Sequence, residues 1–300
     1  MESHITGLVS IVIPTYNCAN YVCDAVQSCL TQTYKPIEII IIDDGSTDGT
    51  REKLQPFIDK DLIRYFYQEN GERSKARNLG IMNSKGEFIQ FLDVDDLLEK
   101  TKIEKQVDFL KANPNYYGVY CASAHFGDVE KRFAKPHPVY TGVITKKLIK
   151  GNFILINTML TRRAEVLFDE KLNTLEDWDY WFRISLNERR FGFSGEKMCL
   201  VRRHEKNTSK NRLAMLQGEL AVLNKMETTG LYRGEVKYYI FERMYLLGMK
   251  GAGKALREAI AVDFKKIFAC LLFLTKTVVK MTMRNSDAGN PPDPAVKPMG

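Results

Sequence analysis

Ile37–Ile42 (IEIIII) carries five isoleucines in six residues and no polar alternation. A strand with one wet face alternates apolar and polar side chains. A run this uniformly apolar has to be dry on both faces, which places it inside a sheet covered by helices on either side. Leu8–Ile13 is a second short β-branched run, ending at Pro14, and Ile63–Tyr67 and Phe88–Leu92 read as third and fourth strands. Helical patterns lie between them. Asn20–Thr31 puts Val22, Ala25, Val26, Cys29 and Leu30 on one face. Ser46, Thr47 and Asp48 offer cap chemistry for a helix reaching Phe57, and Ser74–Ser84 forms a third helix, stopped near Gly86. This β-α-β-α-β-α-β order predicts a mostly parallel central sheet flanked by helices, with ligands bound at the carboxyl ends of its strands.

Polar residues collect at those ends. Strand one runs into Thr15-Tyr16-Asn17, strand two into Asp43-Asp44-Gly45-Ser46, and strand four into Asp93-Val94-Asp95-Asp96. Two carboxylates at i and i+2 after an apolar strand suit Mg²⁺ or Mn²⁺, with substrate phosphates completing the shell. The same residues also suit a helix-capping acidic turn. Asp43–Thr50 (DDGSTDGT) could accept hydrogen bonds from a base or ribose, or be an ordinary Asp/Gly turn. It lacks the glycine spacing of a dinucleotide fingerprint.

Beyond residue 97 the pattern is less regular. Leu98–Leu110 reads as an amphipathic helix, Tyr117–Ala122 and Thr158–Thr161 as strands, and Asp177–Leu186 as an aromatic-rich helix. From Asn211 the pattern is helical, and residues 285–300, with four prolines, read as a disordered tail. The formal net charge is +7, but residues 1–200 sum to −2 and residues 201–284 to +10. The expected division is a near-neutral first domain over 1–210, a basic helical region over 211–284, and the tail. The six cysteines show no Cys-x-x-Cys pair and read as reduced thiols. No signal peptide or spanning segment is expected, which suits a cytoplasmic protein.

Taken together, VSIVIPTYN at 9–17, IDDGSTD at 42–48, ARNLG at 76–80 and FLDVDD at 91–96 resemble family 2 glycosyltransferases, in that family's order and at about its spacing. EDWDYWFR at 176–183 is similar to its acidic catalytic motif, and Arg202-Arg203-His204, with Ser209 beyond, to its closing basic element. The resemblance covers residues 8–210. It implies a GT-A fold, a nucleotide-diphospho-sugar donor, Mn²⁺ or Mg²⁺, and inversion at the anomeric carbon. By the same resemblance Pro14, Thr15 and Tyr16 line the base and ribose pocket. Asp44 faces the base, commonly uracil, with Asp43 supporting it. Arg77 lies close to the nucleotide with Arg73 and Lys75 nearby, Asp93 faces ribose or metal, Asp95 holds the metal, and Asp177 is the catalytic base.

That set makes chemical sense. A metal neutralises the leaving diphosphate, and one carboxylate in reach of the acceptor hydroxyl serves as general base. At a helix N-terminus the dipole would favour the ionised form of Asp177. Glu176 and Asp179 are rivals that residue spacing does not separate from it. His204 suits either a metal ligand or a diphosphate contact. Trp178 and Trp181 share a helix face and suit sugar stacking or core packing. His4, His125 and His137 receive no role.

The expected activity is metal-dependent transfer of a sugar, from a UDP-sugar or similar donor, to a glycan or lipid-linked glycan hydroxyl. Two alternatives stand beside it. One is a haloacid-dehalogenase-like phosphohydrolase built on Phe91–Asp95, and the other a non-catalytic membrane-surface scaffold. Residues 254–284 combine Phe264, Ile267, Phe268, Leu271, Leu272 and Leu274 with Lys265, Lys266, Lys276, Lys280 and Arg284. They predict a peripheral contact with the inner face of an anionic membrane, or a helix that packs in the protein. No basic motif points to nucleic acid.

Overall fold

The computed structural model describes residues 4–127, 138–204, 211–263, 266 and 269–277. Two compact units divide the chain, Met1–Val222 and Leu223–Gly300.

In the first unit β1 (Ile5–Thr15), β2 (Ile37–Asp43), β3 (Arg64–Tyr67) and β4 (Gly86–Phe91) run parallel in the order β3-β2-β1-β4. Between them lie α1 (Val22–Leu30), α2 (Thr50–Ile58) and α3 (Glu72–Asn83). Both faces of β2 are dry, as its isoleucines require. Ile39 and Ile41 pack in the core that holds Val22, Ala25, Val26 and Leu54 of α1 and α2. Ile40 and Ile42 pack in a second cluster with Ala76 of α3. Helix α3 lies so close on the sheet that a Cβ on Gly80 would sit 2.2 Å from a Val12 methyl.

The other half of the sheet is mixed. It uses β5 (Leu97–Leu98), β6 (Tyr116–Gly127), β7 (Gly142–Val143), β8 (Met159–Arg162) and β9 (Arg190–Arg203). β8 joins β4 and β6 antiparallel, β6 pairs with β9 in parallel, and β5 and β7 add antiparallel to β9. Leu98, expected at a helix start, is instead in β5, opposite Cys199. The helix there, α4, is Lys102–Ala112. Two further helices complete this half, α5 (Thr145–Leu148) and α6 (Glu176–Ser185). Strand order reverses between β1 and β4, the point at which such sheets open a crevice beyond their carboxyl ends.

Helix α7 (Arg212–Thr228) crosses the division between units. In the second unit α8 (Arg233–Leu246), α9 (Ala252–Val262) and helical residues 269–277 gather around Tyr238, Phe241, Ala259 and Cys270. Phe273 and Leu274 pack against that cluster, whereas Leu271 and Leu272 face outward at 56% and 46% exposure. His137, Ser209, Phe264, Lys265, Ile267, Phe268, Lys280, Arg284 and residues 285–300 lie outside the described residues. No helix among the described residues is long and apolar enough to cross a membrane.

Candidate active site

An open cleft of about 1010 Å³ sits at the strand reversal. Its first wall is the end of β1. Pro14, Thr15 and Tyr16 all line it, and the Thr15 hydroxyl is buried without a hydrogen-bond partner among the described residues. The loops after β1 and β2 are stitched together by the polar residues of IDDGSTD. Asn17 Oδ1 accepts the Thr47 amide at 2.8 Å, Ser46 Oγ accepts the Asn17 amide at 2.9 Å, and Asp48 accepts the Ala19 amide at 3.0 Å. Gly45 makes the turn at φ +86°, where a Cβ would also come within 3.0 Å of the Asn70 amide nitrogen.

Asp43 and Asp44 divide the work. Asp43 is buried off the cleft, its carboxylate accepting the Ser46 amide at 2.8 Å and the Tyr65 hydroxyl at 2.7 Å. That second bond keeps the Tyr65 phenol from ionising, together with burial, the larger cause. Asp44 lines the cleft and accepts bonds from Gln68 Nε2 at 2.5 Å and the Gly71 amide at 2.9 Å.

The opposite wall is the Asp93–Asp96 turn, clamped from β9. Buried Asp96 accepts the Arg202 amide at 2.8 Å and the Asn157 side-chain amide at 2.7 Å. Burial, then the charges of Asp95 and Asp93, raise its proton affinity well above the ordinary carboxylate range. Arg202 Nε donates to the Asp95 carbonyl at 2.9 Å, and its guanidinium lies over the Tyr21 and Phe126 rings. This clamp brings His204 Nε2 to 2.9 Å from Asp95 Oδ2, with Tyr21 stacked on the imidazole.

Arg77 lines the cleft yet is only 1% exposed. It bridges Asp93 at 2.7 Å and Glu176 at 2.6 Å, over the Phe168 ring. Burial opposes its charge, but the two carboxylates more than offset that and hold it protonated. It is a bracket between the Asp93 turn and α6. Arg73 also lines the cleft; Lys75 does not, and its stem packs by Gly71.

The acidic start of α6 sorts itself by pairing. Glu176 is taken by Arg77, and Asp179 by Arg183 at 2.7 Å. Asp177 lines the cleft and accepts the Asn152 side-chain amide at 2.8 Å and the Trp178 amide at 2.8 Å. The helix-terminal Trp178 amide favours the ionised form of Asp177, as expected, but it is outweighed. Burial, and then the neighbouring Glu176 charge, raise its pKa to about 7, against the smaller pull of Arg77 and two amides. Trp178 and Trp181 are each 1% exposed core residues, and Trp178 donates to the Leu148 carbonyl at 2.6 Å. Neither is open to a sugar.

Two site residues carry no sequence signal. Asn152 sits in an irregular stretch with no motif around it. Asn157, in the short turn before β8, lines the cleft and anchors Asp96. Its only cue is its place ahead of a strand. Among the described residues no group of three or more His, Cys, Asp or Glu is arranged to hold a metal. Asp95 and His204 still suit a divalent cation, since Mg²⁺ and Mn²⁺ commonly take few protein ligands and draw the rest from substrate phosphates and water.

The sequence matches the profile of Glycosyl transferase family 2 over residues 10–169. An uncharacterized glycosyltransferase of Rickettsia typhi is 35% identical over 297 residues, covering 93% of this chain and 92% of its own. Among solved structures, S. aureus TarS 1–349 in complex with UDP-GlcNAc superposes with a TM-score of 0.64 at 19% identity, over 79% of this chain and 72% of that one. The mannosyltransferase PcManGT of Pyrobaculum calidifontis, in complex with GDP-Man and Mn²⁺, gives 0.58 at 16% identity, over 91% and 86%. These likenesses show the GT-A fold. The profile match and the Rickettsia relative establish that the chain belongs to glycosyltransferase family 2.

Proposed function

We propose that this glycosyltransferase moves a sugar from a nucleoside-diphosphate donor, a UDP-sugar in the first instance, to a hydroxyl of a glycan or lipid-linked glycan, with inversion. The observation that carries the reading is the position of Asp177. It is the one acid of the α6 cluster that lines the cleft without an arginine partner at ion-pair distance, and that cleft also holds Asp44, Asp93 and Asp95. A carboxylate with a proton affinity near neutrality is well matched to receive the acceptor's proton as the sugar bond forms. A single base facing the leaving group across the sugar gives inversion by in-line attack.

The donor end follows from the same walls. Asp44 would accept from the base, with Asp43 keeping its loop in shape, and the orphaned Thr15 hydroxyl and exposed Tyr16 ring would meet the nucleoside. Asp95 and His204 would hold Mn²⁺ or Mg²⁺, which when bound neutralises charge on the diphosphate as it leaves. The UDP-GlcNAc and GDP-Man·Mn²⁺ complexes of the two structural neighbours support both parts. Family membership favours transfer over the phosphohydrolase alternative and the scaffold alternative. Peripheral membrane contact through the basic second unit would suit a lipid-linked acceptor.

The test is a nucleotide-sugar panel with Mn²⁺. Transfer or slow hydrolysis of one donor is expected, Asp177→Asn should lower turnover by about 10²–10⁴-fold while nucleotide still binds, and Asp95→Ala should remove the metal dependence of that binding. Full turnover in Asp177→Asn would sink the proposal.

A further inference from the structure

The segment from Thr145 to Asn152 lies along α6 in the reverse direction and is tied to it at three levels. Thr145 Oγ1 donates to the Ser185 carbonyl at 2.7 Å, the Trp178 indole donates to the Leu148 carbonyl at 2.6 Å, and Asn152 Nδ2 donates to Asp177 Oδ2 at 2.8 Å. The first two bonds are buried and structural. The third ends on the carboxylate that faces the cleft.

The orientation of the Asn152 amide follows from its surroundings. Its Oδ1 accepts the Ile154 backbone amide at 3.1 Å, so the NH₂ group is the half that turns to Asp177. An NH₂ is a donor only, and it prefers the ionised carboxylate over the protonated one. The second carboxylate oxygen accepts the Trp178 amide of its own helix. Oδ2 is thus held from the 145–152 segment, a strap along α6, and Oδ1 from the helix, which fixes both the rotamer and the direction in which a lone pair meets the cleft.

From these contacts we infer that Asn152 is a positioning residue for the transfer reaction, orienting Asp177 and keeping it available as a base. The inference rests on the proposed role of Asp177. The charged groups that bear on Asp177 are Glu176 of its own helix, which opposes ionisation, and Arg77 of α3, which favours it. The strap supplies a neutral donor. With the Asn152 bond in place Asp177 has a pKa of about 7 and is about half ionised at neutral pH, so loss of that bond would leave a base that is largely protonated.

The experiment compares pH profiles of kcat, and donor KM, for the wild type, Asn152→Leu and the isosteric Asn152→Asp, with Asp177→Asn as reference. Activity that needs ionised Asp177 is lost as pH falls through its pKa. Losing one hydrogen bond to a charged group should move that acidic limb upward by about one to two pH units in Asn152→Leu. Turnover at pH 7 should fall about five- to fiftyfold and recover at alkaline pH, with donor KM unchanged. Asn152→Asp sets a second carboxylate beside the first and should move the limb further. A thermal shift with nucleoside diphosphate reports folding of each variant, and Asn152→Asp carries the test where Asn152→Leu fails it.

An acidic limb unmoved in a folded Asn152 variant, or turnover lowered equally at every pH, overturns the positioning role while leaving the proposed function intact. Asp177→Asn that retains turnover overturns both.

Discussion

Glu176 acts in two opposed ways on its neighbours. Its carboxylate is the 2.6 Å partner of the buried Arg77 guanidinium, and its charge is the second cause, after burial, of the raised Asp177 pKa. Glu176→Gln separates the two effects. Arg77 would keep Asp93 but lose half its charge compensation, which should cost about 3 kcal/mol in urea unfolding, as for a buried pair robbed of one partner. With the repelling charge removed, Asp177 should ionise more easily, and the acidic limb of kcat should move downward. That is the opposite direction to the Asn152 variants, and a shift upward would contradict this account of the site. The three acids of α6 also show what pairing settles and spacing does not. Glu176, Asp177 and Asp179 are equivalent in a motif, and they differ only because Arg77 arrives from a helix 99 residues earlier while Arg183 lies one turn on in the same helix.

At the scale of elements, the close approach of α3 to β1 governs the cleft, because α3 delivers Ala76 and Arg77 to it. Gly80→Ala would set a methyl 2.2 Å from Val12 Cγ1. The gain in helix propensity of about 1 kcal/mol should be outweighed by overpacking, giving a net loss of about 2 kcal/mol. Val12→Ala beside it should open room for the methyl, so the double variant should be at least about 1 kcal/mol more stable than additivity allows. Strict additivity in denaturant titrations would refute the contact. The parallel half of the sheet was legible because each strand is dry, short and followed by a polar cluster. β9 was not. Its sequence, RFGFSGEKMCLVRR, has two glycines, three charged residues at its ends and two within, and no steady period. It is a strand because β6, about 70 residues earlier, supplies a parallel partner with register shifts that absorb the irregularity. Asp95 and His204 were both visible as candidates, yet only this non-local pairing explains why they meet. Asn152 lies beyond any local reading, since its role depends on a strap and a helix 25 residues apart.

Across the whole molecule, the charge is unevenly divided. Apart from Val201, Arg203 and His204, the residues lining the cleft fall within residues 1–200, which sum to −2, while residues 201–284 sum to +10. The second unit spends Cys270, Phe273 and Leu274 on its own core and leaves Leu271 and Leu272 outward. Were the proposed membrane contact made there, with Lys276 close by in sequence, each basic residue near anionic lipid would contribute about 1 kcal/mol and the attraction would decay within a Debye length. The full chain should therefore co-sediment with vesicles containing phosphatidylserine and not with neutral phosphatidylcholine vesicles, and should be released as salt is raised toward 0.5 M, a condition of roughly twofold shorter screening length than physiological. Leu271→Glu with Leu272→Glu should weaken vesicle binding while leaving the thermal shift by nucleoside diphosphate unchanged, because neither residue lines the cleft. Equal binding to neutral vesicles, or no effect of the double substitution, would assign the basic excess to another partner.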